Sequence, residues 1–110
     1  MTAPLPVPLE PLGGEARPGV AAAEERLRDL GVSPYAWSNG AGDRYGAHEH
    51  PTTKLLVCAE GSITFLVGPD ADPVELNAGD GMVLPAGTRH SAVVGPRGCT
   101  CLEGHRPADG

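Results

Sequence analysis

Aromatic residues are scarce in this chain: Tyr35, Trp37, Tyr45 and Phe65 are the only four among 110 residues. Positive charge is scarce as well. Eight Lys and Arg stand against fourteen Asp and Glu, a formal net charge of −6. No basic stripe exists to neutralise phosphates, so a nucleic-acid partner is not expected, nor is electrostatic attraction to an anionic membrane. No apolar run approaches the length of a membrane span. The opening Met1-Thr2-Ala3-Pro4-Leu5-Pro6-Val7-Pro8 lacks a basic segment followed by an apolar stretch. No secretory signal is read there, and a cytoplasmic protein is expected. Three cysteines, an odd number for a disulfide framework, agree with a reducing compartment. There is no nucleophile elbow and no phosphate-cradling glycine loop leading into a helix.

What the chain does have is 16 glycines and 12 prolines. Short strands joined by tight turns fit that composition better than helices, and the length fits one domain with a modest core. Residues 1–18, rich in Pro and Gly, read as a flexible arm or as a segment laid over the domain. Residues 19–110 read as one domain. A helix is predicted over Val20–Leu30, with Val20, Ala23, Leu27 and Leu30 as its apolar stripe and Gly31 as its stop. It would pack on the domain or on a partner subunit. From Val32 to about residue 105 the pattern is strand and turn. Strands are expected at Pro34–Ser38, Arg44–His50 and Lys54–Ala59. A turn at Glu60-Gly61 would lead into a hairpin partner, Ser62–Val67. Further strands are expected at Val74–Leu76, Gly81–Leu84, His90–Val94 and Thr100–Gly104.

Candidate chemistry gathers around histidine. His48 and His50 are one residue apart, which puts both on one side of an extended strand. His90, from another strand, can complete a facial set of three imidazoles for a divalent transition metal. Lys54 shares the phase of the pair if Pro51-Thr52-Thr53 stays extended, as do Leu56 and Cys58. Glu49 should point away. His105 reads as solvated. Cys99 and Cys101 face the same way and read as small strand residues, with Cys58 packed inside. Tyr35 and Trp37 share a face and read as core or dimer-contact residues, and Arg89 points opposite to His90.

At these residues the chain resembles the cupin family, in its small single-domain form. Five residues separate Gly42 from His48-Glu49-His50, and six separate Lys54 from Gly61. In a second motif, Gly79, Pro85, Gly87 and His90 fall in the family's order and spacing. The resemblance covers roughly residues 32–105. It implies an all-β fold, a double-stranded β-helix or jelly-roll barrel of six to eight strands or more, with one short N-terminal helix. It also implies a homodimer and a metal bound in the barrel mouth. Two departures matter: Lys54 replaces the glutamate that supplies a fourth ligand in metal-binding cupins, and Val94 replaces an asparagine. A protonated lysine has no lone pair to offer and repels a divalent ion, unless an acidic residue or bound anion balances it.

Three readings stay open. The site can hold Fe, Mn, Ni, Zn or Cu through His48, His50 and His90 alone, as in a dioxygenase or isomerase, with Lys54 as an acid or anchor. It can bind an anionic small molecule without turnover, as a sensing module does. Or the barrel can be structural, with the histidines merely lining a cavity. An acidic partner for Lys54 would favour metal; its absence would disfavour it.

Overall fold

Alternation of apolar residues builds this fold outward from one long strand, Thr53–Val67. The computed structural model describes residue 12 and residues 16–107. The expected arm thus lies mostly outside the described residues, although Leu12 is buried and residues 16–18 are exposed. One helix, α1 (Val20–Asp29), precedes six strands: β1 (Tyr35–Asn39), β2 (Arg44–His48), β3 (Thr53–Val67), β4 (Asp72–Asn77), β5 (Gly81–Leu84) and β6 (His90–Arg106). They form one antiparallel sheet in the order β1-β6-β3-β4, with β2 on β6 and β5 on β3, curled into a small β-barrel.

On β3, Leu56, Cys58, Ile63, Phe65 and Val67 face the barrel interior with Met82, Leu84, Ala92, Val94, Cys99 and Cys101. The opposite parity, Leu55, Val57 and Ala59, faces α1 and joins Ala23, Leu27, Val32 and Leu102 in a second cluster. Strand residues alternate between faces, so one segment serves two cores. The apolar stripe expected on the helix is the face that packs here, on the outside of the barrel. The helix ends as its sequence predicts. Gly31 has a positive φ of 86°, its N–H donates to Arg28 O at 2.9 Å, and Val32 N–H donates to Leu27 O at 3.3 Å. This double bond pattern closes the last turn, and Val32 folds back onto Leu27.

One expectation fails. Glu60-Gly61 does not end a strand. β3 runs through it and stays paired with β6 on both sides, with register shifts between Cys58 and Glu60 and between Gly61 and Ile63. The site is a bulge that bends both long strands. Likewise His90–Val94 and Thr100–Gly104 are parts of one strand, β6. At the bend, Gly61 has φ 71° and an added Cβ would stand 2.0 Å from the carbonyl oxygen of Gly98.

Candidate metal centre

Two strands and one loop bring the histidines together. His48 ends β2 and is the direct cross-strand partner of His90 at the start of β6. The predicted strand stops at His48, and His50 lies just beyond it, where its carbonyl accepts from Gly87 N–H at 2.8 Å. The ring centroids of His48 and His90 are 4.4 Å apart, those of His48 and His50 4.7 Å, and those of His50 and His90 5.2 Å. One ring nitrogen from each lies within 4.8 Å of the others.

Hydrogen bonds fix the tautomers. His48 Nδ1 is 2.7 Å from Gly46 O, and His90 Nδ1 is 2.9 Å from Thr88 O. Carbonyls only accept, so both Nδ1 atoms carry a proton, which in the neutral ring leaves the lone pair on Nε2. His90 is 3% exposed. Its Nε2 is the one buried side-chain nitrogen or oxygen among the described residues without a hydrogen-bond partner. Burial, above all, lowers its pKa to about 4 against the upward pull of the Thr88 carbonyl, with the positive potential of His48, Lys54 and His50 adding to the lowering. His50 is lowered too, by burial first and then by Lys54 and His48. His50 and His90 are thus held neutral, the form in which imidazole binds metal. An unsatisfied buried lone pair beside two further imidazoles fits a divalent transition ion.

Lys54 points inward. Its side chain is 10% exposed, with Nζ 3.0 Å from His50 Nε2. The acidic partner sought in the sequence exists: Glu103 Oε2 is 3.5 Å from Nζ. Glu103 had not been singled out. It lies at the centre of a buried network, receiving Tyr35 OH at 2.6 Å, Trp37 Nε1–H at 2.7 Å and His105 Nε2–H at 2.8 Å. Burial pushes its carboxyl up, but the Tyr35 bond, the Lys54 charge and the His105 and Trp37 bonds outweigh that and hold it below the usual glutamate value. Conversely, the Tyr35 hydroxyl is pushed up to about 12 by burial and by Glu103.

His105 is not the solvated residue expected. Its Nδ1 shares a hydrogen bond of 2.7 Å with the Thr52 hydroxyl, and its ring stacks on Tyr35 at 6.1 Å. It is not part of the metal-capable cluster, which is His48, His50 and His90. Trp37 packs against the barrel core, as expected, but it and the exposed Tyr35 are also walls of a cavity of about 370 Å³, shared with Tyr45, Phe65, the histidines, Lys54 and Glu103. All four histidines and all four aromatic residues of the chain line this one cavity. Glu49 and Arg89 are exposed and absent from it, as expected. The three cysteines are free and buried in the barrel.

The family model for the cupin domain matches residues 39–97. Among solved structures, one described as DMSP lyases RdDddP and RnDddQII is similar at 25% identity and TM-score 0.63, over 70% of this chain and 39% of that one. DMSP lyase DddQ from Ruegeria pomeroyi DSS-3 is similar at 27% identity and TM-score 0.62, over 68% of this chain and 38% of that one. This chain therefore spans about two fifths of the length of those lyases. An RmlC-like cupin from Shewanella frigidimarina NCIMB 400 is similar at 25% identity and TM-score 0.60, over 70% and 67% of the two chains. No curated protein matches the sequence.

Proposed function

The chain belongs to the cupin family, and on that premise we propose that it holds a divalent transition metal through His48, His50 and His90 and presents it to a small anionic molecule. The observation that carries this reading is His90 Nε2, buried, neutral and unpartnered within the histidine cluster. Fe, Mn, Ni, Zn and Cu all suit three imidazoles. Such an ion supplies Lewis acidity, or a site for dioxygen when it is Fe or Mn, with positions left open by the missing fourth protein ligand.

The chain's own residues do the rest. Lys54 offers its ammonium to a carboxylate in the cavity. Glu103 holds Lys54 in place while its own lone pairs are taken by Tyr35, Trp37 and His105. The cavity of about 370 Å³ is at the low end for ligand pockets, which limits the ligand to a small one. We read the protein as a metal-dependent enzyme of isomerase, lyase or dioxygenase type. Two lyases among the similar structures support turnover over passive storage.

A second reading has one observation in its favour. Lys54 Nζ already occupies His50 Nε2, which suits a metal-free pocket that binds an anion without turnover. Co(II) spectroscopy separates the two. Under the metal reading, the untagged protein takes up Co(II) with visible ligand-field bands that shift when a small carboxylate is added, and His90→Ala removes them. Absence of any Co(II) spectrum in the parent favours the metal-free module.

A further inference from the structure

Lys54 and a metal ion compete for the same ring. The neutral His50 must accept at Nε2, because an ammonium only donates. An imidazole nitrogen has one lone pair, so Nε2 serves either Lys54 or a metal. Changing tautomer does not relieve the conflict. Freeing Nδ1 for a metal would put an N–H on Nε2, pointing at the ammonium 3.0 Å away. Whichever nitrogen binds, the ammonium also stands within one ring's width of a divalent cation and repels it.

Lys54 has somewhere to go. Its ammonium has three protons and two side-chain partners among the described residues, His50 and Glu103. Glu103, at 3.5 Å, can keep the pair while the bond to His50 is given up. Its hydrogen bonds, with Tyr35, Trp37 and His105, go to none of the three clustered histidines, although the His105 ring meets His50 edge-on at 6.1 Å. Lys54 lines the cavity, where an anion can accept the third proton.

Resting on the metal reading above, we propose that Lys54 is a tethered cation that couples the two ligands of this site. It weakens metal binding in the free protein, and a small carboxylate that draws the ammonium off His50 tightens the metal. Coupling of this kind is reciprocal, so bound metal also tightens the carboxylate. The lysine at the position where related sites have a ligand would make metal occupancy conditional on an anion.

The test is calorimetric titration of Ni(II) into the untagged protein and into Lys54→Met, each in sodium acetate and in sodium chloride at equal ionic strength. In chloride, Lys54→Met should bind Ni(II) roughly five- to a hundredfold more tightly than the parent. Acetate should tighten Ni(II) in the parent and do so far less in the variant. Equal Ni(II) affinity in parent and variant would overturn the coupling, as would an acetate effect that is nil or the same in both. Lys54→Gln is measured in parallel, with thermal melts, and replaces Lys54→Met if that variant does not fold. If neither the parent nor either lysine variant binds Ni(II), the metal reading itself falls, and the coupling with it.

Discussion

His90 spends its life in a place that opposes its charge. Exposed imidazole titrates near 6.5, whereas burial brings His90 to about 4. As pH falls, the unfolded chain therefore takes up a proton before the folded one does. The stability associated with this depressed value is fully present above about pH 6.5 and is lost as pH falls toward about 4. Glu103 is also depressed, but from 4.5, so its loss comes at lower pH. For metal-free protein, the melting temperature should decline between about pH 7 and about pH 4.5, and His90→Gln should flatten much of that decline. A melting temperature that is level across this interval in the parent would refute the assignment of His90 as a buried neutral base. At this scale the sequence was partly legible. The histidine pair and His90 follow from the two spaced motifs, whereas the chain bends at Pro51 and Thr52, so the phase of the pair does not by itself aim Lys54 inward. Glu103 and His105 were missed, although Cys99, Cys101, Glu103 and His105 alternate on one strand and share its inner face. Ending that strand at Gly104 left His105 outside it, and the parity that aims Glu103 inward was not followed along the strand.

At the level of the element, the bend in β3 and β6 is what lets one antiparallel pair wrap the barrel from Thr53↔Arg106 to Val67↔His90. Gly61 makes the bend possible twice over, by its positive φ and by the space its missing Cβ leaves for Gly98 O. Gly68 has a similar φ of 80° but open space around it. Gly61→Ala should therefore cost roughly 3 kcal/mol or more, whereas Gly68→Ala should cost only about 1 kcal/mol of backbone strain, both measured by urea denaturation. Equal costs would mean that the close approach of the two strands is not a constraint. The sequence could not separate this bulge from a hairpin, because both use a glycine with positive φ after a polar residue. Only the continued pairing with β6, a long-range fact, distinguishes them. Helix α1 was more legible because its signals are local: an apolar stripe and a stop glycine.

For the whole molecule, the family resemblance of two spaced motifs and the alternation of apolar residues were enough to expect a small β-barrel with its histidines in one cavity. Association is a matter of surface. β1 pairs with β6 on one side and has no second strand neighbour among the described residues, and Tyr35 on it is 52% exposed. An unpaired edge is a template for a second chain. We propose a homodimer formed through this edge. Light scattering at micromolar concentration should give twice the monomer mass of 11.2 kDa; the monomer mass would contradict it. The central claim concerns metal, and elemental analysis by plasma mass spectrometry tests it most directly. Untagged protein is incubated with Fe, Mn, Ni and Zn salts in sodium acetate and desalted into the same acetate buffer, beside a variant with His48, His50 and His90 all changed to alanine. Near-stoichiometric metal in the parent and none in the variant is the predicted result; a parent as empty as the variant would contradict the account.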